Sequence, residues 1–218
     1  PVIRHNGKFV KTHGFCTDVF FTAALGWIHE QKKKDQPFFA YIATNAPHGP
    51  FIAPEKNAKR FTDLGFGKEQ AGFYGMIENI DENMGQLDAF LREAGLRENT
   101  ILIYMTDNGT ATGDSVFNAG MRGKKIGLYD GGHRVPFFVR WPAGKLRPAG
   151  DVDALAQSQD LLPTLLDLCG VPGPATAKFD GTSLDGLLRG GATALPDRKL
   201  VIQFSLMNDS RTKKGDGV

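Results

Sequence analysis

The chain has 218 residues, with 26 Lys and Arg against 24 Asp and Glu, and the resulting net charge of +2 leaves no broad electrostatic footprint for nucleic acid or an anionic membrane. Its 41% hydrophobic content supports a substantial core, yet no apolar run approaches the roughly 20 residues that cross a bilayer, and the opening PVIRHNGKFV lacks the hydrophobic segment of a secretory signal. Cys16 and Cys169 stand far apart without CxxC or zinc-like spacing, which favours buried free thiols over a disulfide scaffold or a zinc site.

Val2 to Val10 reads as a hairpin, because Asn6-Gly7 supplies the positive φ angles of a tight two-residue turn. A helix follows, with Thr17 or Asp18 as its cap and Phe20, Ala23, Ala24, Trp27 and Ile28 at helical spacing, before Lys32 to Lys34 meet the negative end of its dipole. Phe38 to Ala43, FFAYIA, is a continuous apolar run of the kind a parallel sheet buries on both faces, and it opens into TNAPHGP at Thr44 to Pro50. From Glu69 to Ala94 the spacing of Phe73, Ile77, Ile80, Met84, Leu87 and Leu91 gives a long amphipathic helix stopped by Gly95. A strand over Thr100 to Thr106 then completes the order strand, helix, strand of a parallel crossover. Val135 to Trp141 is a further strand, with Pro136 near its start where a missing donor is tolerated. Gln157 to Leu168 is helical around Pro163 and stops at Gly170, Val171 to Asp180 is a surface connection, Leu184 to Leu188 is a short helix, and Leu200 to Phe204 is a last strand.

Ligands of open α/β sheets gather at the carboxyl ends of strands, and two such ends here carry unusual polar residues. In ILIYMTDN the apolar run ends in Asp107 and Asn108, adjacent oxygen donors suited to a hard divalent cation. Asn108-Gly109 is equally a hairpin signal, but TATGDS after it does not resume the alternation of a return strand. One Asp-Asn pair cannot supply the roughly six to eight oxygens that calcium prefers, so much of such a site lies elsewhere. His48, between Pro47 and Pro50 at the other strand end, sits in a rigid loop where an imidazole can contact an anion or protonate a leaving group; a lone loop histidine is otherwise simply solvated. Gly120 to Pro136 combines Lys124, Lys125 and Arg134 with Gly120, Gly123, Gly127, Gly131 and Gly132, so its backbone can approach a ligand and its cations can neutralise an oxyanion. A solvated basic loop is the plainer reading, and Asp130 can tie down Arg134 or a backbone donor.

GFCTDVFF, PFFAYIATNAPHGPF, MIENIDENMGQLDAFL, YMTDNG, KKIGLYDGGHRVPFFVRWPAG and QDLLPTLLDLCGVP, in this order, resemble the sulfatase family of the alkaline phosphatase superfamily over most of the chain. The resemblance implies an α/β fold with a large mixed, mostly parallel sheet sandwiched by helices, present here as a partial domain. It implies a catalytic-domain part over residues 1–195 and the start of a truncated C-terminal subdomain over 196–218. It implies hydrolysis of sulfate esters with one divalent cation, usually Ca2+. Asp107 and Asn108 match the second pair of metal ligands, His48 the histidine that contacts sulfate and assists departure of the alcohol, and Lys125 the sulfate-binding lysine five positions before Asp130, itself a departure from the usual Glu. The family's formylglycine arises from Cys or Ser in a Cys/Ser-x-Pro-x-Arg motif, which neither Cys16-Thr17-Asp18 nor Cys169-Gly170-Val171-Pro172 provides. The paired N-terminal aspartates and the upstream lysine and histidine are absent as well.

The chain therefore reads as part of an enzyme whose nucleophile and remaining metal ligands lie in a missing N-terminal part of the same polypeptide. The expected substrate is a small sulfate ester or a sulfated glycan, and family habit implies a periplasmic or secreted location. The alternatives are a phosphodiesterase or phosphonate hydrolase of the same superfamily, or a noncatalytic remnant that binds anions or another subunit.

Overall fold

A computed structural model describes residues 2–201. The chain packs as two compact units that divide between Trp141 and Pro142. The expected step between residues 195 and 196 remains a proposal, and residues 202–204 of the expected last strand lie outside the described residues, while Leu200 and Val201 carry no strand.

In the first unit, β1 (Val2–His5) and β2 (Lys8–Lys11) form the expected antiparallel hairpin. Asn6 at φ 49° and Gly7 at φ 82° make its turn, as a two-residue hairpin loop requires. Helix α1 (Cys16–Lys33) begins without a side-chain cap. Thr17 and Asp18 lie inside it instead: Thr17 is fully buried, and Asp18 accepts hydrogen bonds from Asn79 at 2.9 Å and Asn83 at 2.7 Å. Its buried stripe is Thr17, Phe21 and Ile28, rotated from the expected one, so that Ala23 is exposed and Trp27 meets Phe38 edge-on while half exposed. Lys32 and Lys33 occupy the last turn as expected.

The long helix is α3 (Lys68–Glu93), followed by Gly95 at φ 67°. Phe73, Met76, Ile80, Leu87 and Leu91 are buried on it, whereas Ile77 faces outward. Phe21, Ile28, Leu87 and Leu91 form one core cluster between α1 and α3, covered by Phe38, Ile42 and Leu102. Ala46, Met76 and Ile80 form a second, covered by Phe15, Phe51 and Tyr104. An unexpected helix, α2 (Glu55–Asp63), lies against α3. Two glycines allow the approach, since a Cβ on Gly72 would stand 2.0 Å from the Phe51 carbonyl oxygen and one on Gly75 2.8 Å from the Ala58 nitrogen. Buried Asn57 donates to Glu78 at 3.1 Å, Arg60 pairs with the same carboxylate, and Lys56 pairs with Glu82 at 2.8 Å.

Strand β3 (Leu102–Met105) is shorter than expected, and its hydrogen-bonded partner is β4 (Phe137–Arg140), running antiparallel with Tyr104 opposite Phe138. The described sheets are thus two antiparallel pairs, and a mostly parallel sheet is not among them. FFAYIA, expected as a strand, joins neither pair and makes no backbone hydrogen bond among the described residues. Asp88 of α3 accepts from Arg140 at 2.5 Å and Arg97 at 2.9 Å, fastening β4 to the helix layer. The Arg140 hydrogen bond, then that of Arg97, holds the Asp88 carboxyl below its usual range.

In the second unit, a 3-10 turn at Ser158–Asp160 leads into α5 (Leu161–Cys169). Gln157 and Asp160 form a reciprocal capping box, Pro163 falls in the first helical turn, and Gly170 at φ 63° ends the helix. Asp160 is fully buried, accepts backbone N–H bonds from Gln157 and Thr182 at 2.8 Å each, and accepts from the two terminal guanidinium nitrogens of Arg198 at 2.7 Å. Thr164 accepts from the Leu184 N–H just before α6 (Asp185–Leu188). Of the two free thiols, Cys16 is half-buried and Cys169, at a helix end, is exposed, so the expectation of two buried thiols is met by neither.

Candidate functional site

The stretch after β3 folds back upon the glycine-rich loop. Gly109 N–H donates to the Gly132 carbonyl at 2.9 Å, and Lys125 N–H donates to the Thr110 carbonyl at 2.9 Å. Lys125 is thereby held two residues from Asn108 along one hydrogen-bonded seam. The seam requires glycines: a Cβ at Gly109 would lie 1.8 Å from the Gly131 oxygen, and Cβ atoms at Gly131 and Gly132 would each lie 2.1 Å from the Gly123 and Gly127 oxygens. These glycines let the loop pack on itself, rather than opening it to a ligand. Helix α4 (Asp130–His133) caps the loop, and Arg134 is fixed by donation of its N–H to the Asp130 carbonyl at 2.7 Å, not by the Asp130 carboxylate. Tyr74 of α3 donates to the Gly113 carbonyl at 3.2 Å, and the Thr110 hydroxyl accepts the Gly113 N–H at 2.9 Å, anchoring the same segment to the helix layer.

Asp107 is exposed and Asn108 half-buried. The Asn108 amide nitrogen donates to Asp107 Oδ2 at 2.5 Å. Among the described residues no donor is bonded to Asp107 Oδ1 or Asn108 Oδ1, so the pair presents two open, hard oxygens beside each other. That donor set fits a calcium-like cation in part. It is incomplete, for no cluster of three or more His, Cys, Asp or Glu side chains among the described residues is placed to hold a metal.

The two adjacent lysines differ. Lys124 is paired with Asp114 at 3.2 Å, whereas the Lys125 ammonium has no carboxylate partner among the described residues. Arg122 lies over the Tyr129 ring, its guanidinium carbon 3.6 Å from the ring centroid.

His48 occupies the loop that leaves the FFAYIA run. Its N–H donates to the Asn45 carbonyl at 2.9 Å, the Thr44 hydroxyl donates to the Ala46 carbonyl at 2.8 Å, and both X-Pro bonds around it, Ala46-Pro47 and Gly49-Pro50, are cis. Nδ1 lies 2.8 Å from the Gly49 carbonyl oxygen. Since a carbonyl only accepts, this contact selects Nδ1–H and leaves Nε2 without a hydrogen-bond partner among the described residues on an exposed side chain. Beside it opens a cavity of about 340 Å³ whose lining includes Phe15, Cys16, Asn45, Ile52 and Met76. Sequence reasoning missed the contribution of Cys16 and Met76, which come from α1 and α3 and carry no local signal. Tyr104 and Ala46 share one core cluster, so the His48 loop and the Asp107-Asn108 pair leave neighbouring parts of the same layer; among the described residues no hydrogen bond joins His48 to the pair or to Lys125.

A family profile described as Sulfatase matches residues 4–171. The chain belongs to the sulfatase family. It is 34% identical over 188 residues to the uncharacterized sulfatase YdeN of Escherichia coli, covering 84% of this chain and 33% of the relative. It is 33% identical over 190 residues to the N-acetylgalactosamine-6-sulfatase of Canis lupus familiaris, covering 84% of this chain and 34% of that enzyme. Among solved structures it is similar to Ps i-CgsB, with a TM-score of 0.79, 30% identity and coverage of 89% of this chain and 45% of that one. The sulfatase-family chain thus spans about a third of the length of the curated relatives it matches, and the shared architecture is that of the alkaline phosphatase-like fold as a partial domain.

Proposed function

We propose that the chain is the segment of a sulfuric ester hydrolase that grips the sulfate and releases the alcohol, with the nucleophile and the remaining metal ligands supplied from outside it. The observation that supports this reading is the seam in which Lys125 N–H donates to the Thr110 carbonyl, tying the backbone of Lys125, whose ammonium has no carboxylate partner among the described residues, to the segment that follows Asp107 and Asn108. Three tasks arise in sulfate transfer: charge on the nonbridging oxygens must be neutralised, the nucleophile must be aligned, and the alcohol must leave protonated. Lys125 serves the first as a charged hydrogen-bond donor. Asp107 and Asn108 would contribute oxygens to a Ca2+ ion, which when bound draws electron density from the sulfate and orients the nucleophile. His48 serves the third. As an imidazolium it holds N–H on both nitrogens; when the sulfur–oxygen bond breaks, Nε2–H passes to the departing alkoxide, and the remaining Nδ1–H tautomer is the one the Gly49 carbonyl stabilises.

The nucleophile in this reading is a formylglycine encoded outside the chain. The substrate is a sulfated saccharide: relatives at 30% identity or more are named N-acetylgalactosamine-6-sulfatase, and a crystal structure of Ps i-CgsB holds k-i-k-neocarrahexaose. Export to the periplasm or exterior belongs to the same proposal. A phosphonate monoester hydrolase from Silicibacter pomeroyi shares the fold at a TM-score of 0.61 and 22% identity, which makes phosphorus esters the competing substrates. The test is turnover of sulfated disaccharides and of a phosphonate monoester by the purified 218-residue chain and by a longer polypeptide that adds the nucleophile motif. Sulfate release by the longer form and none by the chain is expected. Robust sulfate release by the chain alone, or preference of the longer form for the phosphonate, overturns the reading.

A further inference from the structure

Between Asn118 and Gly127 the backbone enters the left-handed region at Ala119 (φ 49°), Gly120 (φ 73°), Gly123 (φ 79°) and Ile126 (φ 78°). Ala119 and Ile126 are not glycine, and a β-branched residue such as Ile126 is strained there. Ile126 directly follows Lys125, in a turn closed by donation of the Gly127 N–H to the Lys124 carbonyl at 2.8 Å. Turns with a left-handed third residue ordinarily place Gly or Asn at it. Strained backbone of this kind persists only where its surroundings hold it, and it gathers at functional sites. Half-buried Asn118 provides such a hold. Its backbone carbonyl accepts the Met121 N–H at 2.8 Å across the Ala119-Gly120 turn, and its side-chain amide nitrogen donates to the Met121 carbonyl at 2.9 Å and the Gly123 carbonyl at 2.7 Å. The peptides so fixed are the ones on which the seam rests. The Arg122 carbonyl accepts the Gly131 N–H at 2.8 Å, a Cβ at Gly131 would stand 2.1 Å from the Gly123 oxygen, and a Cβ at Gly109 would stand 1.8 Å from the Gly131 oxygen. Contacts therefore lead from Asn118 through Gly123 and Gly131 to Gly109, the residue after Asn108, and along the chain from Gly123 to Lys125.

We propose that Asn118 is a positioning residue for sulfate transfer: its carboxamide holds the strained 119–127 loop in the shape that keeps the Lys125 backbone bonded to Thr110, and so sets where the Lys125 ammonium meets the sulfate. Asn118 reaches no reacting atom and acts through Lys125. The inference rests on the sulfate-gripping role of Lys125 proposed above and adds to it the residue that fixes the lysine in place.

A double-mutant cycle in a longer polypeptide that adds the nucleophile motif tests it, read as kcat/KM for a sulfated disaccharide. Asn118→Ala is expected to lower kcat/KM about tenfold, the scale of losing a group that orients a functional residue, and less than Lys125→Ala does. Because Asn118 acts through the ammonium, Asn118→Ala should add no further loss in the Lys125→Ala background. Asn118→Asp keeps the shape of the side chain without its donors and should repeat the pattern if the alanine variant folds poorly. Hydrogen exchange on the 218-residue chain gives a readout apart from catalysis: in Asn118→Ala the Lys125 and Gly131 amides should exchange faster by about tenfold, with those of β3 and β4 unchanged. Losses that multiply in the double variant, or an unaltered Lys125 amide, would overturn the inference. A full Lys125→Ala loss beside native activity in both Asn118 variants sinks the inference alone, whereas native activity in Lys125→Ala overturns it together with the reading it rests on.

Discussion

Lys124 and Lys125 are chemically identical neighbours separated by one ion pair. Asp114 occupies Lys124, so the available ammonium is that of Lys125. In the longer polypeptide, Lys125→Ala is expected to lower kcat/KM for a sulfate ester about a hundredfold, the scale of removing one donor to a developing oxyanion, and Lys124→Ala only a few-fold. Steady-state kinetics of the two variants decide between them; the reverse ranking would assign the role to Lys124. These residues, with His48, Asp107 and Asn108, could be named from the sequence because His48, Asp107 and Asn108 follow apolar runs and the lysines lie in a glycine-rich motif. What the sequence did not carry is the pairing that ranks them, since Asp114 and Thr110 are brought to the lysines by the loop's folding. The same holds for Asp18, whose partners Asn79 and Asn83 belong to another helix; lacking them, Asp18 resembled a cap.

At the scale of elements, α3 was legible in its length, and its stop at Gly95 was legible too, because sustained 3.6-residue periodicity over many turns has few alternatives. Helix α2 was not. It buries Asn57 rather than an apolar stripe and lies against α3 through glycines, so hydrophobic periodicity had nothing to register. Gly72→Ala would put a Cβ within 2.0 Å of the Phe51 carbonyl, directly after the His48 loop. It is expected to destabilise the first unit by about 1–3 kcal/mol, the usual cost of overpacking, measured as a lower urea midpoint. An unchanged midpoint would show that the loop can move aside.

The Asp160 clasp in the second unit gives a pH prediction. Burial raises the pKa of this carboxyl, but the Arg198 hydrogen bond and the N–H groups of Thr182 and Gln157 outweigh it and hold the folded-state value below the ordinary one. Its stabilisation is therefore complete above the unfolded value of about 3.9, and is lost as pH falls from there through the lower folded value. Urea midpoints between about pH 5 and pH 2 should fall more steeply for the native chain than for Asp160→Asn. Parallel curves would contradict the clasp.

For the whole molecule, the family and the ordered set of motifs were legible, whereas the sheet was not. Phe38 to Ala43 has the composition of a central parallel strand, and its inward residues do cover α1 and α3, but strand pairing is a property of neighbours, and the described chain provides none for it. Where neighbours exist, the pair β3 and β4 is antiparallel. The same division governs function: Asp107 and Asn108 offer two oxygens, and among the described residues no cluster of His, Cys, Asp or Glu completes a metal site.

The most direct test of that division is leaving-group dependence in the longer polypeptide. If His48 protonates the departing oxygen, His48→Ala should slow hydrolysis of a sugar sulfate by about 10²–10⁴-fold while slowing 4-nitrophenyl sulfate far less, because nitrophenolate departs without a proton. An equal loss on both substrates, or none on either, would contradict the account.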